Sequence, residues 1–108
     1  MRTTYGKLIR DRIPEILEAE GMRYEVAPLD GEAFRAALLA KLLEEAGEAV
    51  DAADTDALAR ELADLYEVID AVLELHGLDR DVVRALQARR REERGGFARR
   101  LELRWTEG

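Results

Sequence analysis

The chain has 108 residues, no cysteine and one histidine, and its 17 basic and 24 acidic residues give a formal net charge of −7. A single domain usually has roughly 100–150 residues, so we expect one domain over residues 1–108. The missing cysteines exclude disulfides, thiolate zinc sites and a cysteine nucleophile. Any chemistry must therefore come from carboxylates, from Lys and Arg, and from a metal ion that prefers oxygen ligands.

The hydropathy pattern indicates where the protein is located, and the charge distribution indicates what kind of partner it binds. No apolar run approaches the ~20 residues of a membrane-spanning helix, and the first residues lack an apolar signal segment, so we expect a cytoplasmic protein. Residues 2–12 carry a net charge of +3, residues 13–83 of −14 and residues 84–104 of +5. This distribution fits a solvated helical protein with an Arg-rich tail, or a protein that holds a polyanion through a cation and terminal arginines. The acidic total argues against a nucleic-acid partner.

Two helices are predicted in the first half of the chain. Pro14 suits the first turn of a short helix, which Gly21 would stop. A long helix begins after Asp30, a good N-cap residue, and runs to about Asp51 with apolar residues at helical spacing. Residues 53–56 are small and polar, which predicts a turn.

Two more helices are predicted after this turn. Asp54 or Thr55 caps a second long helix, which ends at Gly77 with His76 as the C-terminal capping residue. A further helix begins near Asp79 and ends before the Gly-Gly pair at 95–96.

The two long helices predict an all-α bundle built on an antiparallel αα-hairpin. The apolar arc of each helix is wide and needs cover from the short helices or from a second copy of the chain, so we expect a homodimer, or a tetramer. Residue alternation in 98–105 and the extended character of 23–27 predict a small β-hairpin between these segments.

Carboxylates interrupt the apolar pattern of both long helices. At about 100° per residue, four acids lie at the rims of the apolar arcs: Glu45 and Glu48 on the first long helix, Glu61 and Asp64 on the second. An antiparallel hairpin places these two helix ends at the same level, where the acids can converge. Clustered carboxylates raise one another's pKa unless a cation binds, and Mg²⁺ prefers such ligands. The alternative is ordinary rim acids in solvent or paired with Lys41 and Arg60.

These residues resemble a known superfamily. Glu45-x-x-Glu48 followed by Glu61-x-x-Asp64 resembles the metal signature of MazG-type all-α nucleoside triphosphate pyrophosphohydrolases. Segments 7–14 (KLIRDRIP) and 93–97 (ERGGF) resemble a small house-cleaning branch, related to phosphoribosyl-ATP pyrophosphohydrolases. The resemblance covers nearly the whole chain. It implies a MazG-like bundle that cleaves a nucleoside triphosphate between the α and β phosphates with Mg²⁺, for which Mn²⁺ can substitute.

The resemblance also implies roles for individual residues. The four rim acids match metal ligands, and Glu44 matches a general base for the attacking water. The candidates for binding the phosphates are Lys7, Arg10, Arg12, Lys41 and Arg94. Lys41 has an alternative role as a salt-bridge partner of Glu45, and Arg10 as a partner of Asp11.

Aromatic and glycine residues outside the acid pairs allow two interpretations each. Phe97 or Tyr24 can stack on a nucleobase, although packing is the commoner role of such residues. Gly95-Gly96 can admit an anion to backbone N–H groups, although a Gly pair more often forms a turn.

Three functions remain open from the sequence. The preferred one is hydrolysis of a damaged or non-standard nucleoside triphosphate. Phosphoribosyl-ATP hydrolysis is the second, but Tyr66 is followed by Glu67 where the histidine-biosynthetic members usually carry Tyr-His. The third is a non-catalytic helical dimerisation or interaction module.

Overall fold

The computed structural model describes residues 1–108 and contains four helices and no strands: α1 (Ile13–Ala19), α2 (Gly31–Val50), α3 (Thr55–Leu75) and α4 (Arg80–Arg94). The predicted all-α class is therefore confirmed. The helices are distributed over two compact units, Met1–Gly77 (unit 1) and Leu78–Gly108 (unit 2). None of the four helices combines the length and the apolar character that a bilayer span requires.

The helix ends follow the local sequence signals. The Asp54 side chain accepts from the N–H of Ala57 at 2.8 Å at the start of α3, and the Asp79 side chain caps α4 in the same way. Asp30 is the N-cap residue of α2, although its side chain makes no capping hydrogen bond. His76 is the C-cap of α3, and its Nδ1 lies 2.9 Å from the carbonyl oxygen of Val72. Sequence reasoning therefore placed these boundaries correctly.

Helices α2 and α3 pack against each other and form the predicted antiparallel hairpin. Phe34 near the start of α2 lines the same concavity as Leu75 at the end of α3. The core of this hairpin is very small, because only Leu38 (3 % exposed) and Val68 (8 % exposed) are buried. Much of the apolar surface of the hairpin consequently stays in contact with water.

The uncovered apolar surface follows the helical repeat. Leu39, Leu43 and Val50 lie within about 40° of one another around α2, and Leu43 and Val50 are 77 % and 83 % exposed. On α3, the exposed residues Leu58 and Leu62 are one turn apart. Each long helix therefore presents an apolar stripe that nothing within the chain covers.

The predicted β-hairpin is absent from the structure. Neither 23–27 nor 98–105 forms a strand, and Leu101, Leu103 and Trp105 of the tail are exposed. Period-2 alternation predicts a strand only where one face is buried, and an isolated two-stranded hairpin is marginal in water. The alternation in the tail has no such packing surface within the chain.

Candidate metal centre

Three carboxylates from α2 and α3 meet at one place. Glu45, Glu61 and Asp64 each offer one carboxylate oxygen, and these oxygens all lie within 4.8 Å of one another. All three residues are half-buried. They converge because α3 runs back along α2, which puts the second-last turn of α2 beside the early turns of α3. We refer to Glu45, Glu61 and Asp64 as the carboxylate triad.

The fourth predicted ligand, Glu48, lies beside the triad but not within it. Glu48 is exposed, one helical turn after Glu45. Its charge nevertheless acts on Glu61, since partial burial and the charges of Asp64, Glu48 and Glu45 together raise the pKa of Glu61. Glu48 is therefore close enough to interact electrostatically with the triad.

Partial burial is the largest cause of the raised pKa of Glu61, and repulsion by its three acidic neighbours adds to it. The nearby Arg60 lowers the pKa of Glu61, but the three acidic neighbours outweigh it. Hard oxygen donors crowded in this way suit a divalent cation such as Mg²⁺, which relieves the repulsion. The donor set of the triad thus fits the ion that the sequence predicts.

Two lysines hold the acids at the edge of the triad. The ammonium of Lys41 lies 3.4 Å from Oε1 of Glu45 and 3.4 Å from Oε1 of Glu44. Lys41 therefore forms the salt bridge with Glu45 that the sequence allows as its alternative role. Lys7 reaches Glu44 from the N-terminal segment, with its ammonium 3.4 Å from Oε1.

The N-terminal segment makes a second long-range contact. Nη2 of Arg10 donates to Oδ1 of Asp64 at 2.7 Å, so Arg10 is not paired with Asp11, the partner that sequence proximity suggested. Arg12 instead lies beside Glu15 on the first turn of α1, with 3.5 Å between Nε and Oε2. Lys7 and Arg10 therefore lie at the acids, whereas Arg12 has a local partner.

Glu44, the predicted general base, is the acid most strongly influenced by lysine. Partial burial raises the pKa of Glu44, but the charges and hydrogen bonds of Lys41 and Lys7 outweigh this effect, and the net shift is downward. Glu44 is therefore ionised at neutral pH and can accept a proton. Its position next to Glu45 in α2 places it at the edge of the triad.

The remaining candidates have separate environments. The Tyr24 hydroxyl donates to a carboxylate oxygen of Glu18 on α1, which gives Tyr24 a structural role. Arg94 belongs to unit 2 and lines a concavity with Phe97. The ring centroid of Tyr5 lies 5.7 Å from the ammonium of Lys7, which is a cation–π contact. The sequence did not predict this contact, because no residue spacing signals it.

Comparison with known proteins does not assign the chain to a family. No family model matches it, and neither a curated protein nor a solved structure is significantly similar. The function is therefore inferred from the residues and from the geometry of the triad.

Proposed function

We propose that this chain is a Mg²⁺-dependent nucleoside triphosphate pyrophosphohydrolase, which releases a nucleoside monophosphate and pyrophosphate. The observation that carries the proposal is the convergence of Glu45, Glu61 and Asp64 from two helices within 4.8 Å. The raised pKa of Glu61 supports it, because a cation would relieve the repulsion. The resemblance of the acid pairs and their flanking segments to MazG-type enzymes supports this choice of reaction.

The triad and Glu48 would hold the ion, and Mn²⁺ would substitute for Mg²⁺. When bound, Mg²⁺ supplies neutralisation of phosphate oxygens and activation of water. Water adds to the α-phosphorus, the bond between this phosphorus and the bridging oxygen breaks, and pyrophosphate leaves with that oxygen. Glu44 takes the proton of the water, and Lys41 keeps Glu44 and Glu45 in place.

The basic residues of the N-terminal segment would bind the phosphates. A guanidinium has five N–H donors, and the contact of Arg10 with Asp64 uses only one of its two terminal nitrogens. The ammonium of Lys7 is about half-exposed and retains donors besides the one directed at Glu44. Lys7 and Arg10 can therefore bind anionic oxygens while they remain beside the acids, and Arg12 and Arg94 are further candidates.

A homodimer would complete the helical bundle, as in the MazG-like fold that the sequence resembles. The exposed stripes of α2 and α3 support this assembly, because a core of only Leu38 and Val68 buries little apolar surface. A second copy that covers Leu43 and Val50 would remove both from water. A tetramer would cover further exposed apolar residues in the same way.

The deciding experiment is a panel of standard, damaged and non-standard nucleoside triphosphates, together with phosphoribosyl-ATP, with pyrophosphate detected in the presence of Mg²⁺. We expect turnover of non-standard triphosphates that Glu61→Gln abolishes. Glu67→Gln, an exposed acid on α3, is the matched control and should retain the parental rate. Turnover of phosphoribosyl-ATP alone would assign the second function, and equal rates for Glu61→Gln and the parent would refute the site.

A non-catalytic interaction module is the second candidate, and the exposed apolar stripes favour it. It predicts a stable oligomer without turnover and without an effect of metal on stability. The combination of no pyrophosphate release with no metal binding would establish this alternative.

A further inference from the structure

Residues 101–105 of unit 2, which we call the tail segment, are apolar at every second position. Leu101, Leu103 and Trp105 are 74 %, 81 % and 76 % exposed, so no part of the chain covers them. The backbone N–H and C=O groups of the tail segment make no hydrogen bond within the chain. The tail segment therefore offers an unpaired backbone and apolar side chains to a partner.

The two charged residues of the tail segment lie on one side of it. Nε of Arg104 lies 3.0 Å from Oε1 of Glu102, two positions away in the sequence. In an extended chain, alternate residues share one side and the residues between them point to the other side. The tail segment thus combines a charged side with an apolar side, which is the pattern of a strand with one covered face.

The order of residues in the tail segment is complementary to itself. When two copies pair antiparallel about Leu103, this residue lies opposite its own copy, and Leu101 lies opposite Trp105 of the second copy. Glu102 then lies opposite Arg104 of the second copy, and the two-fold symmetry creates the same pair again. Because apolar and oppositely charged cross-strand pairs stabilise a sheet, every residue of the segment gains a favourable partner.

The neighbouring registers lack this complementarity. A shift by two residues in one direction places Glu102 opposite its own copy, and a shift in the other direction does the same for Arg104. Like charges directly opposite each other destabilise a pair of strands. A shift by one residue places apolar side chains opposite charged ones. The sequence of the tail segment therefore favours one register.

We propose that the tail segments of two copies of this chain pair as antiparallel strands, with Leu103 at the two-fold axis. An isolated two-stranded ribbon is marginal in water, so the contact is weak by itself and becomes stronger where another interface already holds two copies together. The pairing uses no residue of the carboxylate triad and none of the exposed stripes of α2 and α3. It is therefore an interaction surface beyond the proposed function.

Disulfide trapping in the full chain tests the register, because the chain has no cysteine of its own. Leu103→Cys should form a disulfide-linked dimer under mild oxidation, since opposite residues of antiparallel strands are about 4.5–5.5 Å apart between Cα atoms. Leu101→Cys and Trp105→Cys are the matched controls. Each substituted position lies about 13 Å from its own copy in this register, so each control alone should give only a background yield. A mixture of the two controls should link, because positions 101 and 105 face each other.

Charge exchange provides a second test without cysteines. Trp105 is the only tryptophan, and its emission should shift to shorter wavelength with increasing concentration, because pairing removes the indole from water. Glu102→Arg should raise the concentration of the half-maximal shift roughly threefold to tenfold, since it places like charges opposite each other twice. Glu102→Arg/Arg104→Glu should return to the parental value. Glu92→Arg, the same change at an exposed acid of α4, should have no effect.

Several results would overturn the pairing of tail segments. Equal cross-linking of Leu103→Cys and the two single controls would indicate random collisions of exposed residues. A dimer that forms through α2 alone would leave Leu103→Cys at the background yield and the emission of Trp105 independent of concentration. A charge-exchanged variant as weak as Glu102→Arg would contradict the register. Neither test needs metal or substrate, so the results do not depend on whether the carboxylate triad is catalytic.

Discussion

Arg10 and Asp64 are 54 positions apart in the chain, yet the guanidinium of one donates to the carboxylate of the other at 2.7 Å. The contact fastens the N-terminal segment to α3 at the carboxylate triad, and Lys7 fastens the same segment to α2 through Glu44. The basic first residues and the acidic helices thus partly neutralise each other. A cation at the triad would compete with Arg10 for the oxygens of Asp64.

This competition makes a prediction for Arg10→Gln. Removal of the guanidinium should change the free energy of unfolding by less than about 1 kcal/mol, because both side chains are about half-exposed. The variant should bind Mn²⁺ more tightly, since Asp64 loses a competing positive charge, and its KM for the triphosphate should rise. Calorimetric titration with Mn²⁺ measures the first effect. The Mn²⁺ affinity of Arg12→Gln should equal that of the parent, because the partner of Arg12 is Glu15. Weaker Mn²⁺ binding by Arg10→Gln would argue against Asp64 as a ligand.

The raised pKa of Glu61 makes a prediction for stability against pH. A carboxyl whose pKa is higher in the folded than in the unfolded chain destabilises the fold once it ionises, so its cost appears as pH rises from 4.5, its usual value, through the raised pKa. Without metal, Glu61→Gln should therefore melt at a higher temperature than the parent at pH 7 and at the same temperature near pH 4. A variant less stable than the parent at pH 7 would contradict the repulsion between Glu61 and its acidic neighbours.

Metal binding should appear as a thermal shift. A ligand that binds only the folded state stabilises it by about 2.7 kcal/mol at a concentration of 100 times Kd, so millimolar Mg²⁺ or Mn²⁺ should raise the Tm. Glu45→Gln and Glu61→Gln should lose this shift, whereas Glu67→Gln on the exposed side of α3 should keep it. Scanning calorimetry with and without EDTA measures the effect. An unchanged Tm in the parent would favour the non-catalytic module.

Glu44 and the triad should respond differently to substitution. Glu44→Gln removes the proposed proton acceptor but none of the three convergent oxygens. Its Kd for Mn²⁺ should stay within a few-fold of the parent, while kcat falls by roughly 10²–10⁴, the usual contribution of a general base. Single-turnover kinetics at saturating Mn²⁺ separates the two effects. Loss of Mn²⁺ binding would instead identify Glu44 as a ligand.

The uncovered stripe of α2 makes a prediction for assembly. Leu43→Gln and Val50→Gln should raise the dimer dissociation constant, because each removes apolar area from the proposed interface. Val82→Gln, which changes an exposed apolar residue of α4, should leave the constant unchanged. Sedimentation equilibrium over a range of concentrations measures it. A parent that stays monomeric at high concentration would refute dimerisation through this stripe.

Local chemistry accounts for the accurate predictions from the sequence. Asp54 and Asp79 cap their helices through contacts two or three residues away, and the apolar period of α2 and α3 is a property of each helix alone. The β-hairpin was the wrong prediction, because the alternation of residues 98–105 carries no information about whether a packing surface exists. The grouping of Glu45 with Glu61 and Asp64 was anticipated, because the short turn after α2 sets the level at which the two helices face each other.

By itself, the sequence determined the four helices, their caps and the presence of acids at the rims of two apolar arcs. Only the tertiary structure decided which acids meet, that Glu48 lies outside the triad, and that Lys7 and Arg10 reach Glu44 and Asp64. It also left Arg90, Arg91 and Arg94 without acidic partners beside an exposed Phe97. The physical reason is range: caps and helical periodicity act over one or two turns, whereas ion pairs between distant segments form only after packing has brought those segments together.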